Sequence, residues 1–190
     1  MAQSPAMNVM RAAVEKAGRA LRRDFGEVEN LQVSKKGPGD FVSQADLKAE
    51  KILFEELSEA RPGYGFLMEE RGVVEGADAT HRWIIDPLDG TTNFIHGIPH
   101  VGISIGKIIN NQITDGVIFN PILNEFFWSS KGQGAWCNNS RVRVSKRQEL
   151  SNCLIGTGAP FGSRIYDKYY SELKKISKLT AGIRRLGAAS

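Results

Sequence analysis

The sequence predicts a layered α/β or α+β fold. Three observations carry this: two amphipathic helical stretches in the first third, a run of alternating apolar strands from Val101 onward, and a further helix near the end. No internal repeat, low-complexity tract or linker separates them, so residues 1–190 are expected to form one domain. A chain of 190 residues is long enough to bury a proper core.

Ser4 before Pro5 is a helix entry, with a capping hydroxyl and then a proline where no N–H is missed. Met7, Met10, Val14, Ala17, Leu21 and Phe25 recur every three or four residues as one buried stripe, and Gly26 ends the helix. Leu31 to Ser34 reads as a short strand and Lys35 to Asp40 as a loop. Ser43 to Asp46 resembles a capping box opening a second helix, with Ala49, Leu53, Leu57 and Ala60 on one side and Arg61-Pro62-Gly63 as its stop. Tyr64 to Met68 and Arg82 to Asp86 fit buried strands, and Arg71 to Thr80 between them reads as a surface loop.

From Val101 the period changes to two. Val101, Ile103 and Ile105 alternate with Gly102, Ser104 and Gly106; Asn110-Asn111 makes a turn, and Ile113 to Phe119 returns. After the turn at Asn120-Pro121, Glu125 to Ser129 is a third strand and Lys131 to Gly134 a third turn. Ser163 to Leu179 is a helix expected to lie on this sheet, with Ile165, Tyr169, Leu173 and Ile176 on its apolar side.

Composition narrows the function classes. Hydrophobic residues make up 41% and charged residues 24%, ordinary globular proportions, and no apolar run is long enough to cross a bilayer. Met1 to Met7 lacks the basic flank and apolar stretch of a secretory signal. Cys137 and Cys153 stand in no metal-like spacing and read as reduced, packed thiols, so a cytoplasmic location is expected. The net charge of +4 suits an anionic substrate or a nucleic acid, and equally suits solubility alone. Lys174, Lys175 and Lys178 read as a solvated helix face, and His81, His96 and His100 as structural or surface residues without ligand spacing.

The chemistry concentrates in Asp86-Pro87-Leu88-Asp89-Gly90-Thr91-Thr92. Pro87 fixes its own φ and pushes Asp86 into an extended conformation, which aims that carboxylate. Gly90 lets backbone approach a ligand, and Thr91 and Thr92 offer hydroxyls and N–H groups at a helix start, a good anion site. Two neighbouring carboxylates repel unless a cation lies between them, and oxygen ligands without His or Cys favour Mg²⁺. The same pairs are also plain turn formers. Glu69-Glu70, closing the preceding strand, and Asp46, at a helix start, weaken that plainer account by their arrangement around the motif.

Trp83 to Phe94, with Ile84-Ile85-Asp86-Pro87-Leu88-Asp89-Gly90-Thr91-Thr92-Asn93-Phe94 at its heart, resembles the signature of the inositol monophosphatase family. Gly37 to Asp46 resembles the family's early segment, Phe66 to Glu70 its G-E-E element, and Gly132 to Asn138 its G-x-G-A-aromatic-x-N turn. Gly182 to Ala189 resembles its later G-[IS]-R-x-x-G-[ST]-A element, so the matches run through nearly the whole chain in family order. The fold this implies is a sugar-phosphatase-type αβαβα sandwich, with the C-terminal part of the family fold expected beyond Ser190.

By position, Glu69, Asp86 and the Leu88 carbonyl match the family's first metal site, and Asp86 with Asp89 match two carboxylates of the second. Gly90 and Thr91 match the phosphate-binding amides. The Thr91 hydroxyl, hydrogen-bonded to Asp46, matches the group that orients the attacking water, with Glu69 beside it. Lys36 matches a loop lysine near the active site, and Gly187 and Ala189 match backbone lining the sugar pocket. Met68 departs from the small residue common before Glu-Glu. A third carboxylate of the second metal and a glutamate on the substrate fall, in the family pattern, beyond Ser190.

The resemblance therefore implies Mg²⁺-dependent hydrolysis of a small phosphorylated polyol, inositol 1-phosphate foremost, with lithium sensitivity and a homodimer. Fructose 1,6-bisphosphate or a nucleotide 3′-phosphate are alternative substrates within the superfamily. A third reading comes from bacterial members that are extragenic suppressors, in which the chain contacts RNA polymerase or its transcription complex in ribosomal RNA synthesis.

Overall fold

Helix α1, Pro5–Phe25, starts where Ser4 Oγ accepts the Met7 N–H at 3.1 Å. Its stripe is sealed: Met7, Met10, Val14, Ala17 and Leu21 are buried, and Phe25 packs at the margin against Phe94, ring centroids 5.4 Å apart. The computed structural model describes residues 4–25, 33–37, 40–158 and 166–189, and the strands within 33–43 by their backbone. The expected helix end at Gly26 lies outside these residues.

Strands β1, Val33–Gly37, and β2, Asp40–Ser43, pair antiparallel. Val33 and Ser34 of the expected first strand lie in β1, its first two residues fall outside those described, and Lys35 to Gly37 and Asp40 of the expected loop are hairpin strand. Helix α2, Gln44–Ala60, follows directly and buries Ala49, Leu53 and Leu57, while Ala60 is only half-buried.

One mixed sheet of eight strands forms the centre of the fold, in the order β10-β9-β8-β7-β6-β5-β3-β4. Its strands are β3 Tyr64–Met68, β4 Gly72–Val74, β5 Asp78–Asp89, β6 Gly102–Ile109, β7 Gln112–Asn120, β8 Glu125–Ser130, β9 Ala135–Cys137 and β10 Ser140–Val142. Only β3 and β5 run parallel; the other neighbours are antiparallel. Asn110 and Asn111, at φ 49° and 61°, form the two-residue turn between β6 and β7, a left-handed pair that suits the twist of a hairpin. Helices α1 and α2 pack on each other and cover one face of the sheet across β5, β6 and β7. There Ile103, Ile105, Val117, Phe119, Phe126 and Trp128 meet the helical stripes in one core. The other face carries a groove of about 410 Å³ lined by Ile118, Phe127, Trp136 and Val142 among others.

Several expectations need correction. The stretch Arg71 to Thr80 is not simply loop: β4 pairs with β3 there, and β5 begins at Asp78, which puts His81 in a strand. The strand expected at Arg82 to Asp86 is the middle of a 12-residue β5 that runs through the motif to Asp89. The late helix α4 is Tyr166–Ser177, and residues 163–165 of its expected start lie outside those described. It joins β11, Leu154–Thr157, to β12, Gly182–Arg185, which pair parallel in a separate two-stranded sheet. No α4 side chain is buried, so the placement of this helix against the meander is not borne out among the described residues. Of the apolar side expected for it, Tyr169 and Leu173 are half-buried and Ile176 is exposed, because periodicity alone does not say what an apolar face meets.

A charged network pins the middle of the sheet. The Asp115 carboxylate, almost fully buried, takes the Lys107 ammonium at 2.5 Å and the Ser130 and Thr114 hydroxyls at 2.6 and 2.9 Å. Burial opposes its ionisation, but these donors outweigh burial and hold the carboxyl below the usual range. A depressed carboxyl stabilises the fold above its unfolded pKa, and that stability is lost as pH falls through the folded value. Lys107→Met leaves the buried carboxylate without its cation, and urea unfolding at pH 7 is expected to show a loss of about 3 kcal/mol. The loss should shrink toward pH 3, where Asp115 takes up a proton.

Candidate active site

The pairing of β5 with β6 slips inside the motif. Asp86 stands opposite Ser104 and Asp89 opposite Gly102, so three steps along β5 match two along β6. Such a bulge inserts one extra residue and breaks the strict alternation of faces. Ser104 and Gly102 share a face, so Asp86 and Asp89 share one too, which an unbroken strand would forbid. Pro87, with no N–H to give the ladder, makes the bulge locally inexpensive. Leu88 N–H turns back to donate to Asp86 Oδ1 at 3.1 Å, and the Leu88 side chain is buried.

Glu69 reaches the same place from β3. Its strand runs parallel to β5, and Met68 pairs with Ile85, so Glu69 and Asp86 each follow the last paired residue. The buried Glu50 on α2 fixes this strand end: its Oε2 accepts the Glu70 N–H at 2.8 Å, and its Oε1 lies 3.5 Å from Arg71 Nε. The Arg71 guanidinium in turn lies over the Phe54 ring at 5.0 Å. Glu50→Leu removes both partners' acceptor and is expected to cost about 1–3 kcal/mol in urea unfolding. Glu50→Gln keeps an oxygen for the Glu70 N–H and should recover part of it.

Thr91 and Asp46 meet across α2 and the motif. The Thr91 hydroxyl lies 2.9 Å from Asp46 Oδ1 and 3.2 Å from the Leu88 carbonyl, and Asp46 is 1% exposed. Asp46 therefore does not simply terminate a helix at the surface; it is held inside against the motif. Gly90, at φ 92°, turns the chain from β5 into α3, Thr91–Ile95, and Phe94 N–H closes onto the Gly90 carbonyl at 2.9 Å. A Cβ at Gly90 would meet the Ala188 Cβ at 3.0 Å and the His100 carbonyl oxygen at 3.1 Å, so glycine is required on both conformational and steric grounds.

The segment after β12 folds over this turn. Ala189 N–H donates to Asp89 Oδ2 at 2.7 Å, and Gly187 sits at φ 86° against the Asn93 amide. Gly187 and Ala189 thus border the motif. Lys36 is different. Its backbone lies in β1 of the hairpin instead of a loop, and its side chain lies outside what is described.

Electrostatics marks the centre of the site. Asp86 is pushed up to about 7 by burial, by the charges of Glu69 and Asp89 and by a hydrogen bond with Glu69, with the Leu88 N–H pulling the other way. Among the described residues, no three of His, Cys, Asp and Glu form a ready-made metal cage. The donor set is nevertheless the one a hard cation takes: carboxylates and a carbonyl, no nitrogen or sulfur, and mutual repulsion that a positive ion relieves. Mg²⁺ keeps several waters and is held by one or two carboxylates, so it does not require such a cage.

The inositol monophosphatase family model matches residues 2–190. An inositol-1-monophosphatase of Mesorhizobium japonicum is 56% identical over all of this chain and 72% of its own length. The chain belongs to the inositol monophosphatase family. Nus factor SuhB of Xylella fastidiosa is 40% identical, matching 99% of this chain and 68% of that protein. The crystal structure of extragenic suppressor protein SuhB from Bartonella henselae superposes with a TM-score of 0.95 at 54% identity, over 98% of this chain and 72% of the other. The layered fold is thus that of the family, and with it the chain falls among the phosphoric monoester hydrolases. Within this inositol monophosphatase fold, two residues that the sequence reading passed over stand behind the site. One is Glu50, concealed as an ordinary polar position of an amphipathic helix; its only signal is that it stands one residue from the stripe position Ala49. The other is Asn93, read as part of the signature and given no task.

Proposed function

We propose that this inositol monophosphatase family member hydrolyses a small phosphate monoester with Mg²⁺, inositol 1-phosphate being the foremost substrate. The observation that carries the reading is the bulge at Pro87, which brings Asp86 and Asp89 to one face beside Glu69 and one turn from the Thr91–Asp46 pair. In this reading Glu69, Asp86 and the Leu88 carbonyl hold one ion, and Asp86 with Asp89 help to hold a second. Bound there, Mg²⁺ supplies positive charge to the phosphate oxygens and lowers the pKa of water.

The chain's own groups do the rest. The Thr91 hydroxyl gives its proton toward Asp46, which leaves its oxygen lone pairs to accept from a water molecule. Glu69 accepts the second hydrogen bond of that water, so the remaining lone pair faces phosphorus. The water oxygen bonds to phosphorus as the bond to the alcohol oxygen breaks; the water gives one proton to Glu69, which passes it to solvent, and the alcohol leaves with a proton from solvent. Gly90 and Thr91 offer backbone N–H groups to the phosphate, and Gly187 and Ala189 line the polyol side. Lys36 adds a positive charge at the edge in this reading. No covalent intermediate is needed, and we take residues 1–190 as a single domain acting as a cytoplasmic homodimer.

The test is phosphate release from inositol 1-phosphate, fructose 1,6-bisphosphate and a nucleoside 3′-phosphate, with and without Mg²⁺ and with added Li⁺. Magnesium-dependent release, greatest with inositol 1-phosphate and suppressed by Li⁺, is expected. Absence of release from every ester would end the reading.

The likeness to the Xylella Nus factor supports a second reading, a contact with RNA polymerase or its transcription complex. Arg141, Arg143, Lys146 and Arg147 form an exposed basic strip on and after β10 that suits such a partner. Capture of RNA polymerase by Asp86→Asn as well as by the parent protein would support it, and capture by neither would exclude it.

A further inference from the structure

The Asn93 side chain is buried to 7% exposure and spends both N–H bonds of its amide on backbone: Nδ2 donates to the His100 carbonyl at 2.8 Å and to the Leu186 carbonyl at 2.8 Å. These acceptors come from opposite directions. His100 lies near the end of the loop between α3 and β6, and Leu186 follows β12, 93 residues from Asn93 in sequence. Gly187 then passes so close that a Cβ there would stand 2.6 Å from Asn93 Oδ1 and 2.9 Å from Nδ2. Two residues on, Ala189 N–H reaches Asp89 Oδ2. One amide therefore sets where residues 186–189 cross the motif.

We propose that Asn93 is a positioning residue for substrate selection: it holds the Gly187 to Ala189 backbone at the height over Gly90 where a polyol, but not a bare phosphate, is contacted. The inference rests on the phosphatase reading above, which puts Gly187 and Ala189 on the polyol side, and adds what holds them there. It separates two halves of the site. The phosphate half is built by Gly90, Thr91 and Asp46, whose bonds to one another do not involve the Asn93 side chain: the Thr91 hydroxyl on Asp46, and the Phe94 N–H on the Gly90 carbonyl. The alcohol half is the crossing segment, whose hydrogen bonds to the motif are those of Asn93 and Asp89. Loosening the first of these should misplace the segment and leave the phosphate half assembled.

Chemistry makes the requirement specific. Two carbonyl oxygens converge on one nitrogen, so the position needs a double donor with no charge. Asp is nearly the same shape but only accepts, and its carboxylate would face both carbonyl oxygens. Asn93→Asp is therefore expected to do at least as much harm as Asn93→Ala. From the other side Gly187 leaves no room for a Cβ, and its left-handed φ suits glycine.

The experiment compares two esters under saturating Mg²⁺: inositol 1-phosphate, which presents a polyol, and p-nitrophenyl phosphate, which presents none. For Asn93→Ala, KM for inositol 1-phosphate is expected to rise about tenfold, the size of losing one or two buried hydrogen bonds, with kcat little changed. For p-nitrophenyl phosphate both constants should stay within about twofold of the parent. Asn93→Asp should give the same split, and Asn93→Gln, which keeps an uncharged double donor, should recover part of the loss. Equal losses on the two esters, or no loss on either, would overturn the proposal. If Asn93→Ala fails to fold, Asn93→Ser and Asn93→Gln decide by the same split. Failure of the parent protein to release phosphate from either ester would count against the phosphatase reading itself, a different result from an equal loss.

Discussion

Asp86→Asn is expected to lower phosphate release from inositol 1-phosphate by about a hundredfold or more, the scale of removing a central electrostatic group. The same change should make the metal-free protein more stable. In the fold, the Asp86 carboxyl is raised from 3.8 to about 7, first by burial and then by the neighbouring charges of Glu69 and Asp89. A raised carboxyl works against the folded state: ionisation is easy in the unfolded chain above about pH 4 and resisted in the folded one until near pH 7. The full shift corresponds to an upper limit of roughly 4 kcal/mol, and because the side chain is only half-buried about 1–2 kcal/mol is a fairer expectation. Thermal unfolding in EDTA should therefore show the variant above the parent at pH 8, with the two converging toward pH 4. A variant that loses both activity and metal-free stability would mean that Asp86 serves the fold, and the site would need another centre. A variant with near-normal turnover would end the two-metal reading for this chain.

Such opposed effects follow from how the carboxylates are gathered, and that gathering was only half legible in the sequence. The stripe of α1, the hydrophobic side of α2 and the meander from β6 to β8 could be read directly, because burial imposes a period on each. The motif was legible as chemistry only jointly: Asp-Pro and Asp-Gly also form plain turns, and Glu69 and Asp46 around them tipped the reading. The geometry of the motif was not legible. Reading Asp86 as the end of a strand missed that β5 continues to Asp89, since the period of two is lost where the bulge lies and Pro87 looks like a terminator. Local spacing shows Asp46 only as a helix-start residue; that Thr91, 45 residues on, is its partner was legible through the family resemblance alone. Glu50 and Asn93 act through backbone groups distant in sequence, the Glu70 amide and the Leu186 carbonyl, and pairings of that kind leave no periodic trace. The edge strand β4 and the short β9, β10, β11 and β12 are three or four residues each, too brief for alternation to stand out.

Thr91 and Asp46 offer the sharpest test of how water is oriented. Thr91→Val keeps the shape of the side chain and removes the hydroxyl, leaving Asp46 without that donor and the water without its acceptor. A loss in kcat of about a hundredfold is expected, at the lower end of what a positioned proton-handling group contributes. KM and the Mg²⁺ requirement should change little, because neither the carboxylates of β5 nor the Gly90 turn is touched. Asp46→Asn should be milder. Its side-chain oxygen still accepts from Thr91, but the charge that draws the hydroxyl proton inward is gone, and a rotated amide competes to donate to the same oxygen. If the two residues act as one unit, their effects will not add: Asp46→Asn combined with Thr91→Val should be no slower than Thr91→Val alone, since without the hydroxyl Asp46 has nothing to polarise. Steady-state kinetics on the parent, both single variants and the double variant close the cycle. Multiplicative losses would show Asp46 acting on the reaction by a route that does not pass through Thr91, and the water would then have to be oriented by Glu69 alone.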